Sequence, residues 1–314
     1  TTIIDSDGLL HIERIPTAMM IVGAGVIGCE YACMLAALGV KVTLVDARPR
    51  LLDFIDAEII EALQYQMRQM RISLRLGEAV DRVERDADGT IIAHLKSGKQ
   101  IASPFLLYSV RRLGATAELN LPHIGIKPDA RGRLKENAHY QTTLPHIYAV
   151  GDVIGFPSLA STSMEQGRLA SCYAFNEKAN AIPEQLLPHG IYTIPEISVI
   201  GPTEEQLTRD EVPYEIGVAR YREIARGQIM GNEEGMLKLV FHLNTRKLLA
   251  VYVIGEGATE LIHIGQAMMA FEGTIDALVT TVFNYPTLAE CYKVAALDGI
   301  NRLPNHLKCT TEPT

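Results

Sequence analysis

Apolar runs alternate with amphipathic stretches along most of the chain, and the period of each run separates strands from helices. Residues 18–22 are apolar without a break, which suits a strand buried on both faces. Residues 30–38 are rich in Ala, Leu and Met and favour helix, and 42–46 form a second short apolar run that ends on Asp46. Beyond Asp56, the positions Ile59, Ile60, Leu63, Met67 and Met70 recur at helical spacing, with Asp56 as N-cap, and 71–76 follow as a strand. Two alternating stretches, 80–85 and 90–96, flank Asp86-Ala87-Asp88-Gly89, and Ser97-Gly98-Lys99 turns into a third. This part therefore reads as antiparallel hairpins, after which 105–109 return to a buried sheet.

Farther along, an amphipathic helix is expected over 161–175. Strands at 214–219, 236–242 and 248–254 then precede helices at 258–270, 274–282 and 287–297. Strands followed by helices indicate an α+β layer with an antiparallel sheet. Thr203-Glu204-Glu205-Gln206 has the form of a capping box that opens another helix.

One stretch resists a simple periodic reading. Residues 19–39 are almost all apolar, long enough in principle to span a membrane, with Glu30 the only charge. Gly23, Gly25 and Gly28 crowd its first half, where each interior glycine weakens a helix by roughly 1 kcal/mol. Strand, tight turn and helix is the order these residues predict. In Gly23-x-Gly25-x-x-Gly28 the first glycine permits the turn and the second lets backbone approach a pyrophosphate. The third lets the helix, starting at Val26 and Ile27, pack closely with its N-terminal amides toward the phosphates. An acid about 20 positions on should accept ribose hydroxyls, and Asp46 stands there at the end of a strand. Ala47 and Arg48 follow it in the same loop. Asp46 suits the unphosphorylated ribose of NAD, whereas Arg48 and Arg50 either meet the extra phosphate of NADP or are ordinary surface charges.

The totals narrow the picture. At 314 residues the chain holds two or three domains, and 47% hydrophobic with 21% charged residues is ordinary globular composition. A net charge of −8, with no long block of one sign, argues against nucleic-acid or membrane partners. Cys29, Cys33, Cys172, Cys291 and Cys309 form neither a disulfide framework nor a C-x-x-C site, which fits a reducing cytoplasm. Cys29 and Cys33 share a helix face, but with no His or further Cys nearby in sequence they read as two small buried thiols. His263, on an apolar helical face, reads as a packed or hydrogen-bonded residue, and no metal site is expected. The chain opens on Thr1, and further sequence upstream is expected.

Three segments together carry a resemblance. Gly23 to Glu30, then Tyr148-Ala149-Val150-Gly151-Asp152, then Phe283-Asn284-Tyr285-Pro286-Thr287-Leu288-Ala289-Glu290 resemble, in this order, the pyridine nucleotide-disulfide oxidoreductases, a family of flavoproteins. The likeness covers essentially residues 3 to 303 and is strongest to the branch that passes hydride from NADPH through FAD to NAD. It implies an α/β fold with a Rossmann-like NAD(P)-binding domain carrying an antiparallel insertion (16–131), part of an FAD-binding domain (132–186) and a C-terminal α+β dimerisation domain (187–303). A linker (1–15) and a tail (304–314) complete the division. It also implies a homodimer or larger homo-oligomer. By resemblance, Glu30 sits where nicotinamide meets flavin, Gly151 and Asp152 hold the ribityl chain of FAD, and the helix entered through Leu159 and Ala160 points its N-terminus at the flavin. The family's first flavin motif is expected upstream, so this chain is expected to hold FAD weakly or not at all.

Family members that reduce disulfides place a His before the Pro of the last motif, paired with a Glu; here the corresponding residues are Tyr285 and Glu290. A phenol is a far poorer proton acceptor at neutral pH than an imidazole. Nucleotide-to-nucleotide hydride exchange needs no such base, so the substitution favours it. Tyr285 is expected near the partner subunit's flavin, as a catalytic participant or as a side chain packed beside Pro286. A dihydrolipoyl dehydrogenase or mercuric reductase activity, and an inactive chain that keeps only nucleotide binding and dimerisation, remain alternatives. One departure stands out: Arg111 occupies the place of the family's usual glycine after the 105–109 strand, where positive φ would be costly and could disturb the nucleotide loop.

Overall fold

The computed structural model describes residues 2–110, 112–181 and 183–304. Arg111, Cys309 and most of the expected tail lie outside the described residues.

The chain begins with β1 (Ile3–Ile4), α1 (Ser6–Leu9), β2 (Ala18–Val22), α2 (Val26–Ala37), β3 (Lys41–Asp46), α3 (Ala57–Gln69) and β4 (Ser73–Leu76). It continues through β5 (Val80–Arg85), β6 (Ile91–Leu95), β7 (Gln100–Ser103) and β8 (Leu106–Tyr108). A five-stranded parallel sheet has the order β1-β8-β2-β3-β4, and β5-β6-β7 form a separate antiparallel sheet. Successive side chains of β2 point to opposite faces, which explains its unbroken apolar run. Met19 and Ile21 join a core with Cys29, Cys33, Ile59 and Leu63 of the helices, while Met20 and Val22 join Ile91, Ala93 and Leu95 of the antiparallel sheet. The hairpins expected from sequence therefore cover one face of the parallel sheet, and α2 and α3 cover the other.

Two expectations change here. The opening segment is not only a linker, because Ile3 and Ile4 pair in parallel with Leu106 and Leu107 and extend the sheet by one strand. Residues 112–131, expected with the nucleotide fold, pack instead with the segment on their C-terminal side. Gly114 N donates to Arg131 O at 2.8 Å, Thr116 Oγ1 donates to Gly132 O at 2.7 Å, and Leu121 and Ile126 share a small core with Leu134 and Ala149. The described residues between Val110 and Pro188 thus form a compact unit of their own, whose one α-helix among the described residues is α4 (Ala160–Ala174). The residues before and after it form the other unit.

That other unit is completed by β9 (His189–Ile191), β10 (Ile197–Ile200), α5 (Glu204–Arg209), β11 (Tyr214–Arg220), α6 (Ala225–Met230), β12 (Met236–His242), β13 (Leu248–Ile254), α7 (Ala258–Ala270), α8 (Ile275–Thr280) and α9 (Glu290–Arg302). The strands form an antiparallel sheet in the order β11-β12-β13-β10-β9. Both of its faces are buried. Val240, Ala250, Tyr252 and Ile254 join the core under α2 and α3, and Leu239, Phe241, Val251 and Val253 join α7, α8 and α9. The capping box is present: Thr203 Oγ1 accepts from Gln206 N at 3.2 Å, and Gln206 Oε1 accepts from Thr203 N at 2.7 Å. The last helix starts at Glu290 rather than 287, because Thr287 Oγ1 donates to Asn284 O in the preceding turn. Among the described residues no helix is long and apolar enough to cross a membrane.

Candidate functional site

The turn between β2 and α2 assigns each glycine a different task. Gly23 has φ +108°, and a Cβ there would lie 2.8 Å from the carbonyl carbon of Ser109 at the end of β8. A Cβ on Gly28 would lie 1.8 Å from Gly23 O, so only glycine lets the helix close onto the turn. A Cβ on Gly25 would meet nothing within 4 Å, which leaves open space in front of the helix. Gly25 is the N-cap and offers no side-chain acceptor, so no cap occupies the amides that open α2 at Val26 and Ile27. Such a terminus favours an anionic group. Ser109 was not foreseen as part of this site: its Oγ donates to Gly23 O at 2.9 Å and its backbone N–H to Val22 O at 2.8 Å, tying β8 to the turn. Its position just past an apolar strand was the only available sign.

Asp46 ends β3 beside this turn. Its Oδ2 accepts from Ala24 N at 2.6 Å and from Arg48 Nη2 at 2.9 Å, and its Oδ1 accepts from Arg48 N at 2.8 Å and Arg48 Nε at 3.1 Å. Burial pulls the Asp46 carboxyl upward, but the Arg48 guanidinium together with the amides of Arg48 and Ala24 outweighs it and holds the group below the usual carboxylate range. A cleft of about 410 Å³ opens at the carboxyl ends of the parallel strands. Val22, Gly23, Asp46, Ala47, Tyr108 and Asp81 are among the residues that line it. Arg50 turns elsewhere, with Nη1 on Glu205 at 3.0 Å.

Glu30, on the second turn of α2, accepts from Tyr192 N at 2.9 Å, just beyond β9. Burial raises its carboxyl, and the Tyr192 amide only partly offsets that. Cys33, on the same helix face, accepts the Ile194 amide, and burial pushes both Cys29 and Cys33 thiols upward, away from reactivity.

In the other unit, Gly151 has φ +74° and donates its N–H to Gln166 Oε1 of α4 at 2.7 Å, with Gln166 buried. Asp152 is exposed, and α4 opens at Ala160 with Leu159 as an N-cap that contributes no side-chain bond. Its first amides therefore lack a side-chain cap, as at α2. Gln166 was missed by sequence reasoning, since a lone mid-helix Gln carries no pattern.

Among the described residues no hydrogen bond is found between Tyr285 and Glu290. Tyr285 is 73% exposed, whereas Glu290 Oε2 is buried without a hydrogen-bond partner. His263 Nδ1 lies 2.8 Å from Gln266 Oε1, as a hydrogen-bonded surface residue. Asp56, Glu58 and Glu204 each bring a carboxylate oxygen within 4.8 Å of the others, an arrangement the sequence did not announce. The ammonium of Lys238 sits among them, 3.0 Å from both Asp56 Oδ1 and Glu58 Oε2 and in direct contact with Glu204.

Residues 1–167 match the family model for pyridine nucleotide-disulphide oxidoreductases, and residues 187–296 match the dimerisation domain of the same family. The chain belongs to the pyridine nucleotide-disulphide oxidoreductases. Within these oxidoreductases it is 52% identical over 301 residues to the soluble pyridine nucleotide transhydrogenase of Mycobacterium bovis (strain BCG / Pasteur 1173P2), covering 96% of this chain and 64% of the relative. It is 49% identical over 304 residues to the protein of that name from Yersinia pestis (strain Pestoides F), covering 96% and 65%. The chain thus spans about 65% of the length of the curated relatives it matches. Among solved oxidoreductases, the HOCl-induced flavoprotein disulfide reductase RclA from Escherichia coli superposes with a TM-score of 0.88 at 26% identity, over 94% of this chain and 68% of that one. LpdA from Mycobacterium tuberculosis, with a TM-score of 0.86 at 24% identity over 94% and 64%, shares the fold.

Proposed function

We propose that this chain is the nicotinamide-binding and interface part of a transhydrogenase that moves hydride from NADPH to NAD. The observation that carries the reading is the Gly25 face of the turn, open in front of uncapped helix amides and beside a carboxylate at the end of the next strand. Those parts fit a dinucleotide: the amides opening α2 would take the pyrophosphate, and Asp46 the adenosine ribose. Glu30, within hydrogen-bonding distance of the Tyr192 amide, would border the nicotinamide end.

The Gly151 turn, Asp152 and the amides at Leu159 and Ala160 fit the ribityl and isoalloxazine parts of FAD in the same sense. When bound, FAD would supply the two-electron relay between the two nicotinamides. The unit around α4 is thus proposed as half of the flavin domain. Residues 187–303 are proposed as a homodimer interface, and the cytoplasm as the compartment.

Nucleotide exchange is favoured over disulfide reduction by Tyr285, which offers no imidazole. The 49–52% identity to relatives carrying the transhydrogenase name supports the same choice. The test is NADPH-dependent reduction of thionicotinamide adenine dinucleotide by the chain at the length of its relatives, with FAD added. Steady turnover is expected. Reduction of lipoamide or another disulfide, with no nucleotide exchange, would overturn the proposal.

A further inference from the structure

One peptide unit of the β2–α2 turn is held from both sides. Gly23 O and Ala24 N belong to the same planar amide, so fixing the direction of one atom fixes that of the other. Ala24 N donates to Asp46 Oδ2 at 2.6 Å. On the opposite side Ser109 Oγ donates to Gly23 O at 2.9 Å, and it lies 3.1 Å from Val22 O as well. The hydroxyl has a single proton to give, and it sits between two carbonyls at the end of β2.

Ser109 is itself firmly placed. Its N–H donates to Val22 O at 2.8 Å, and Gly23 N donates to Val45 O at 2.8 Å, which ties the turn to the end of β8 on one side and to β3 on the other. Tyr108 and Val110 line the cleft, whereas Ser109 between them presents its hydroxyl to the carbonyls of the turn. It therefore acts from behind the cleft.

The direction of that peptide decides what a ligand meets. Gly23 O points at the start of α2, where a Cβ on Gly28 would lie 1.8 Å from it and 2.9 Å from Ser109 Oγ. Turned over, the carbonyl would stand where Ala24 N–H now stands, beside the Asp46 carboxylate at the cleft, and its negative end would oppose a diphosphate. Glycine at 23, with φ +108°, has no Cβ to hinder such a rotation. Asp46 resists it from the amide side and Ser109 from the carbonyl side.

We propose that Ser109 is a positioning residue of the nucleotide turn: its hydroxyl keeps the Gly23–Ala24 peptide from turning over, so that the amides opening α2 face a nucleoside diphosphate unopposed. The effect is the same with or without a 2′-phosphate, because Ser109 acts at the diphosphate and not at the sugar. The proposal rests on the nucleotide-binding reading of this turn.

The experiment is calorimetric titration of this chain with ADP-ribose and with 2′-phospho-ADP-ribose, paired with hydrogen exchange at the Ala24 amide. Ser109→Ala is expected to weaken both ligands by the same factor, about 3- to 10-fold, the size of one neutral hydrogen bond. Exchange at Ala24 quickens in the free variant, while the Cys29 amide, bonded to Gly25 O at 2.9 Å, keeps its wild-type rate. Ser109→Thr, which retains the hydroxyl, restores both readings, and Ser109→Cys, a weaker donor, falls between alanine and wild type. A purely structural role lowers the denaturation midpoint of Ser109→Ala and leaves the affinities of the folded protein unchanged; that result overturns the proposal. An Ala24 amide that exchanges at the wild-type rate in Ser109→Ala overturns it too, and both results leave the nucleotide site standing. A folded wild type that binds neither ligand overturns the nucleotide reading and the proposal with it.

Discussion

Lys238 Nζ and Asp56 Oδ1 lie 3.0 Å apart with both side chains almost wholly buried, so the centre of β12 is joined to the N-cap of α3 by an ion pair. Glu58 and Glu204 add their carboxylates, and the first turns of α3 and α5, whose dipoles favour negative charge, thus meet at one ammonium. Removing the cation leaves Asp56 buried without its partner. Lys238→Met is therefore expected to destabilise the chain by about 3–5 kcal/mol. Adding Asp56→Asn to the same protein should recover part of the loss. Urea unfolding of the single and double variants measures both, and a Lys238→Met chain as stable as the wild type would show that the cluster holds nothing together.

The glycines of the β2–α2 turn separate folding from binding. Gly28→Ala drives a methyl group into Gly23 O and is expected to cost about 3 kcal/mol or more, even though alanine is the better helix former. Gly25→Ala meets open space and changes only the N-cap, at a cost of about 0.5–1 kcal/mol. It should nevertheless reduce NADH and NADPH binding strongly, because the methyl occupies the position facing the diphosphate. Thermal unfolding paired with fluorescence titration of the reduced nucleotides distinguishes the two effects.

Acid should weaken the Asp46 corner in a particular direction. The folded-state carboxyl lies below its ordinary value, so its contribution is present above about pH 4 and is lost as pH falls through the lowered folded value. Asp46→Asn removes that dependence. The wild type is expected to lose stability more steeply than the variant below about pH 4, as followed by denaturant midpoints across a pH series. Parallel curves would contradict the assignment.

Gln166 holds the other turn. Its Oε1 accepts the Gly151 amide within the buried part of α4. Gln166→Leu leaves that N–H unpaired and should cost about 1–3 kcal/mol. Hydrogen exchange at the Gly151 amide, fast in the variant and slow in the wild type, provides the local readout.

The parts of this architecture set by neighbouring residues are legible in the sequence. The apolar run 18–22, the three spaced glycines and Asp46 describe the turn because each constraint acts within a short stretch of chain. The antiparallel insertion was readable for the same reason, from alternation broken by Asp-Gly and Ser-Gly turns. Lys238 was not, since its carboxylate partners stand 182, 180 and 34 positions away, and one charge within Met236–His242 interrupts a strand pattern without saying what it faces. Ile3 and Ile4 escaped because two residues carry no period. Residues 112–131 were misplaced because their partners are backbone carbonyls of irregular loops, which leave no side-chain signature. For Tyr285 and Glu290, similarity supplied the correspondence, since neither residue carries a local pattern that marks it in the sequence.

The sheet that closes the larger body is synthesised well after the helices whose cores it completes. Core residues under α2 and α3 come from Val240, Ala250, Tyr252 and Ile254, while the segment from just after Val110 to Leu187 folds on itself in between. During translation the parallel sheet and its helices, residues 18–108, are therefore made with one apolar flank uncovered, and it stays so until β13 emerges. That flank is the part of the nascent chain that a molecular chaperone would meet.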